Sequence, residues 1–171
     1  NDSGLIKNAA IDAVARIAPA EDASKVLLKL EPMVKKGKIF NTPAILELLE
    51  KALAPGADFR PGPEFKKSYF NMFAKAIEDG DRSEKLMALK GIALLKAHDG
   101  LETVFRFIDS LNEINEDTED LIVDTIVAIT GRGPLPEIFK DRLAKGGKCL
   151  KIIVRTLGEL KSTQAVPLLK E

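Results

Sequence analysis

The apolar positions of this chain fall in clusters at helical spacing, and the clearest cluster lies near the C-terminus. Cys149-Leu150-Lys151-Ile152-Ile153-Val154-Arg155-Thr156-Leu157-Gly158-Glu159-Leu160 lays an apolar stripe along one side of a helix. Gln164 to Leu169 opens another helix after a three-residue turn, with Pro167 in its first turn. The same alternation recurs upstream. Leu5 to Ile17 carries Ala9, Ala10, Ala13, Val14 and Ile17 on neighbouring turns. Pro19 breaks that helix, and a second from Ala20 to Val34 has Val26, Leu27, Leu30 and Val34 as expected core positions, closed by Lys35-Lys36-Gly37-Lys38. Thr42-Pro43 reads as a cap followed by proline in the first turn, opening a third helix striped by Ile45, Leu46, Leu48, Leu49 and Leu53.

Pro55 to Pro63 holds five Pro/Gly residues in nine positions and reads as an inserted loop. A fourth helix is expected from Glu64 to Glu78, apolar at Phe65, Tyr69, Phe70, Met72, Phe73, Ala76 and Ile77 and closed by Asp79-Gly80-Asp81. Ser83 to Lys96 carries Leu86, Leu89, Ile92, Ala93 and Leu95. Asp99-Gly100-Leu101-Glu102 reads as a cap with a glutamate three residues on, leading a helix with Val104, Phe105, Phe107, Ile108 and Leu111. Thr118 to Thr130 and Pro136 to Leu143 form a fourth pair split by Gly131-Arg132-Gly133-Pro134, and the C-terminal helices form a fifth.

A helix pair of this kind cannot bury its own apolar face and must stack on further copies. The last strong apolar residues of the first helices, Ile17, Leu53, Leu95, Ile129 and Leu160, are spaced by 36, 42, 34 and 31 residues. That is a loose period, without the fixed lengths and signatures of tetratricopeptide or ankyrin arrays. On three segments, Lys7 to Val14, Lys85 to Leu95, and Val154 to Leu160 running into Ala165-Val166-Pro167-Leu168-Leu169, the chain resembles the HEAT family, in particular the short bacterial HEAT-like repeats. The second and fourth pairs depart from that pattern in length. The resemblance implies an all-α fold, a right-handed α-α superhelix of about five antiparallel helix pairs, armadillo-like, running as one domain over residues 1–171 and used as a binding platform without chemistry. Because Asn1 is not an initiator methionine and no polar cap follows Leu169, the natural protein is expected to continue past Glu171 with more of the same repeat.

Composition fits a helical interior packed with Leu, Ile and Ala. Apolar residues make up 45% of the 171, charged residues 30%, aromatics only 5%, and tryptophan is absent. Lys plus Arg equals Asp plus Glu at 26 each, so the chain as a whole lacks the positive field that non-specific nucleic-acid or anionic-lipid binding requires. A single cysteine, Cys149, precludes an internal disulfide, and its position in an apolar stripe assigns it to packing. No run approaches the roughly 20 apolar residues of a membrane span. The expectation is a soluble, cytoplasmic protein without membrane insertion.

Candidate chemistry is sparse. The one histidine, His98, sits in a turn, and no HxxxH or CxxC spacing accompanies it, so neither a zinc site nor a triad is expected. Gly131-Arg132-Gly133-Pro134 lacks the lysine and Ser/Thr of a phosphate-gripping loop. The acidic run Asn112 to Asp120 lacks the central glycine of a calcium loop and reads as a solvated turn leading into a negatively charged helix start. No catalytic residue, metal or cofactor is expected.

Charge is uneven locally. Asp109 to Asp124 holds seven acids and no base, whereas Arg132 to Arg155 holds seven bases against Glu137 and Asp141. Mutual pairing of these stretches is the first reading, an acidic protein partner the second, and nucleic acid the third. Phe65, Tyr69 and Phe73 share a helix face as core, while Phe59 lies in the Pro/Gly loop as a binding candidate. The sequence therefore points to a non-catalytic protein-interaction scaffold within a larger protein, a signalling protein being one candidate. The expected contact region is the concave surface of the second helices together with the Phe59 loop, with Phe59, Arg60, Lys145, Lys148 and Lys151 as candidate contact residues. The alternative is nucleic-acid binding through the Arg132 to Arg155 face. The partner's identity is open.

Overall fold

The computed structural model describes residues 2–131 and 133–161, and these are all-helical, with no strand among them. The helices are α1 (Asp2–Ile17), α2 (Ala20–Lys35), α3 (Thr42–Ala52), α4 (Pro63–Asp79), α5 (Arg82–Leu95), α6 (Gly100–Ser110), α7 (Glu116–Thr130), α8 (Ile138–Lys145) and α9 (Lys148–Glu159). The helix expected over Gln164 to Leu169 and the side chain of Arg132 lie outside the described residues. The sequence reads as one repeat domain over residues 1–171; the described residues divide after Leu95 into two compact units. The two helices of the expected third pair, α5 and α6, thus belong to different units.

In the first unit α3 is the central element. Ala44, Ile45, Leu46, Leu48, Leu49 and Ala52 cover more than half of its circumference with buried apolar side chains, and α1, α2 and α5 all pack against it. α4 closes against α2 and α5. The most extensive helix contacts, α2 on α3 and α4 on α5, straddle the boundaries between the expected pairs. Asn41 caps α3, its Oδ1 accepting from the Ala44 amide at 3.2 Å, so the cap is Asn41 and not Thr42. The Asn41 amide also donates to the Asn8 carbonyl at 3.2 Å and to Asp12 Oδ1 at 2.9 Å. At the other end of α3, Lys51 Nζ donates to the Ala15 and Ala18 carbonyls at 2.5 and 3.2 Å, satisfying acceptors that the C-terminus of α1 leaves without helical partners. Since the start of α3 meets residues 8–12 and its end meets residues 15–18, α1 and α3 run in the same direction.

Only one side of α1 is covered. Ile11, Ala15 and Ala18 are buried, whereas Ala9, Ala10, Ala13, Val14 and Ile17, the stripe read from the sequence, face solvent, as do Leu5 and Ile6. Two helix starts also differ from expectation. Asp81 and Glu84 form a reciprocal capping box at α5, with the Glu84 amide donating to Asp81 Oδ1 at 2.9 Å and the Asp81 amide to Glu84 Oε2 at 3.1 Å. Asp99, with an equivalent spacing to Glu102, has helical backbone angles and makes no side-chain cap.

The aromatic side chains of α4 build the contact with its neighbours. Tyr69 is fully buried and its hydroxyl donates to the Leu27 carbonyl of α2 at 2.6 Å; burial, with the nearby Glu31 carboxylate adding to it, pushes the phenol well above its ordinary pKa. The tip of the Phe73 ring lies against Gly91 of α5, where a Cβ would overlap it.

The second unit joins α7 to α6 and α9, and α8 to α9. Asn115 caps α7 by accepting from the Thr118 amide at 3.1 Å. α8 begins at Ile138, two residues after its expected start, because Pro136 and Glu137 form a tight turn closed by the Phe139 amide on the Pro136 carbonyl. Phe139 is its one fully covered side chain and meets Phe105 of α6 edge to face, ring centroids 6.1 Å apart. Gly146 and Gly147, at φ +67° and +74°, carry the chain from α8 into α9 through backbone angles that side chains disfavour. Cys149 is buried, and desolvation raises its thiol pKa, consistent with a packing role.

Gly91→Ala is expected to destabilise the protein by about 1–3 kcal/mol, since Phe73 must leave its place to admit the methyl group. Tyr69→Phe, which leaves the Leu27 carbonyl without that donor, should cost about 1–2 kcal/mol. Chemical denaturation followed by circular dichroism measures both.

Candidate interaction site

The loop between α3 and α4 does not leave Phe59 free. Its ring is half-buried and stands edge-on to Phe65 at 5.2 Å, and Phe65 in turn lies 4.5 Å from Tyr69. Arg60 is exposed, but its guanidinium folds back to donate to the Ala57 carbonyl at 2.6 Å and to the Phe59 carbonyl at 3.0 Å. The loop is thus fastened by its own two candidate residues. Beside it an open groove of about 460 Å³ runs between the start of α2 and the end of α3, edged by Glu21, Ser24, Asp58 and Phe59.

In the second unit the acidic and basic stretches meet. Arg142 of α8 pairs with Asp109 of α6 at 2.5 Å and with Glu102 at 3.8 Å, its guanidinium also lying 5.1 Å from the centre of the Phe105 ring. Glu119 of α7 is 7% exposed and receives Lys151 at 2.7 Å and Arg155 at 3.3 Å from α9; Arg155 also reaches Asp120 at 2.6 Å. The Lys148 ammonium donates to the Leu111 carbonyl near the end of α6. Of the three lysines singled out from the sequence, Lys148 and Lys151 are therefore engaged within the unit, and Lys145 is exposed at the end of α8. The hydrogen bond from Lys151, helped by Arg155, holds the Glu119 carboxyl below its ordinary pKa, and that from Arg142 does the same for Asp109. Arg142, Lys151 and Arg155 of the basic stretch thus pair with Asp109, Glu119 and Asp120 of the acidic one.

A surface the sequence reading passed over lies on α2 and the turn that follows. Leu28 is 50% exposed, Met33 38% and Phe40 44%, and Lys29, Lys36 and Lys38 are exposed among them. The Lys75 ammonium of α4 stands 4.6 Å from the centre of the Phe40 ring. The run Lys35-Lys36-Gly37-Lys38 reads as a helix stop, which it is. The apolar residues at 28, 33 and 40, spaced off the buried stripe, were the signal that it is also a surface.

Among the described residues no group of three or more His, Cys, Asp and Glu side chains is placed to hold a metal ion, and no helix is long and apolar enough to cross a membrane.

The ion pairs of the second unit imply an acid-sensitive stability. Glu119 and Asp109 have folded-state pKa values below their unfolded ones, so their stabilisation is present above the ordinary carboxylate range and is lost as pH falls through that range and below. Thermal melts at low ionic strength should show the midpoint dropping on acidification below about pH 5. The Glu119→Gln, Asp109→Asn double variant should start lower at neutral pH and lose less on acidification.

No family model, no curated protein and no solved structure matches the chain.

Proposed function

We propose that the chain is a non-catalytic protein-interaction scaffold, a HEAT-like α-solenoid segment. Support for the solenoid comes from packing mostly between helices one or two places apart in sequence, α6 on α9 being three apart, and from α1 and α3 running in the same direction. One observation carries the interaction reading. Polar side chains are spent on internal fastening, at Asn41, Lys51, Glu119 and Arg142, while large apolar side chains are left to solvent along α1, α2 and the turn after α2. Contiguous exposed apolar side chains rimmed by charge are characteristic of protein-binding surfaces.

Nucleic acid is the weaker reading, because Arg142, Lys151 and Arg155 are already paired with carboxylates and a phosphate backbone would have to displace them.

Photo-crosslinking residues introduced at Ile17, Met33 and Phe59, with exposed Lys90 as control, test the proposal in cells producing the chain. A discrete protein adduct is expected from at least one of the three positions and none from Lys90. Adducts to nucleic acid alone, or none at any position, would overturn the scaffold reading.

A further inference from the structure

We infer that the C-terminal half of α2 and the turn after it bind an acidic, apolar-interleaved segment of a partner protein; this rests on the scaffold reading and specifies the partner's chemistry. The surface is preformed. The Lys38 amide donates to the Met33 carbonyl and the Gly37 amide to the Val34 carbonyl, both at 2.9 Å, and Gly37 takes φ +64°, which together make a Schellman turn. That turn reverses the chain so that the Phe40 ring lies over Gly37, where a Cβ would stand 3.4 Å from the ring. Leu28 and Met33 therefore flank the exposed Lys29 and Lys36 from opposite sides of α2, and Phe40 lies beyond its end, all three partly exposed.

Positive charge surrounds them. Lys29, Lys36 and Lys38 have no carboxylate within ion-pair distance among the described residues, while Lys25 is taken by Asp22 at 2.7 Å and Lys35 by Glu64 at 3.6 Å. Lys75 adds a further ammonium above the Phe40 ring. In a chain whose formal charge sums to zero, these three lysines lack the ion pairs that engage Arg142, Lys151 and Arg155 in the second unit. A ligand that matches it carries carboxylates spaced to meet the lysines and apolar side chains between them to cover Leu28, Met33 and Phe40. A phosphate backbone offers the first without the second.

The probe is a fluorescein-labelled peptide, Glu-Asp-Leu-Glu-Asp-Phe-Glu-Asp-Leu-Glu, with a counterpart in which every acid is lysine. The acidic peptide should bind saturably, weaken with added salt and shift the amide resonances of residues 28–40 and 75; the lysine peptide should not bind. Combined Lys29→Glu, Lys36→Glu and Lys38→Glu should weaken binding about tenfold or more. The glutamine version, gentler on the helix end, should move it the same way, and Met33→Ala should weaken binding about threefold without altering its salt dependence. Equal binding of both peptides, indifference to the lysine variants, or tighter binding to anionic vesicles or duplex DNA than to the acidic peptide would overturn the inference. An adduct at Met33 that persists in the triple glutamine variant would overturn it while leaving the scaffold reading intact; absence of protein adducts at every position overturns both.

Discussion

Burial of α3 is the constraint on which the first unit depends. With seven of its eleven residues buried, this helix shows solvent only the strip of Pro43, Glu47 and Glu50, and it is stable only while α1, α2 and α5 cover the rest. Apolar contact is not directional and would tolerate sliding along the helix axis. Asn41 and Lys51 supply the direction, one at each end of α3, by satisfying or recruiting polar groups on α1. Register between these helices is therefore held by hydrogen bonds whose loss would leave backbone acceptors unpaired.

The second unit solves the same problem with charge. Its helices are shorter, and α8 contributes one fully covered side chain, Phe139. What apolar area does not provide, charged contacts between helices supply: Arg142 joins α8 to α6, and Glu119, nearly enclosed, gathers Lys151 and Arg155 from α9 onto α7. A buried acid of this kind is tolerable only because both of its oxygens have charged donors. The chain's overall neutrality thus conceals two different uses of lysine and arginine, one turned inward to bind helices and one left outward on α2.

Helix positions were legible because a period of 3.6 and the breakers Pro19, Gly37, Gly80 and Gly131 mark them in the order of residues alone. The covered side of each helix was legible only where neighbours lie on both flanks. In α3 and α4 most of the apolar positions are buried, with Leu53, Phe70 and Ala76 only partly covered. In α1 they do not, because periodicity identifies an apolar arc and says nothing of whether another helix meets it; Ile11, Ala15 and Ala18 are buried, with Val14 and Ile17 turned away. Caps were misread for a related reason, since Asp81 and Asp99 carry the same spacing to a glutamate and only backbone angles separate them. Phe59 could not be seen as half-buried from its Pro/Gly surroundings, for its partner Phe65 lies beyond the loop. The lysines of α8 and α9 were visible as a group, but their acids sit some thirty residues upstream on other helices.

Tyr69 has a practical consequence. It is the only tyrosine, and the chain has no tryptophan, so near-ultraviolet emission from the native protein arises from a single ring wedged between α4 and α2. With its hydroxyl held by a carbonyl and its ionisation disfavoured by burial, the phenolate spectrum is displaced to more alkaline pH while that wedge stays closed. The first unit carries its own optical gauge, and the second, which has no such chromophore, leaves the reading uncontaminated.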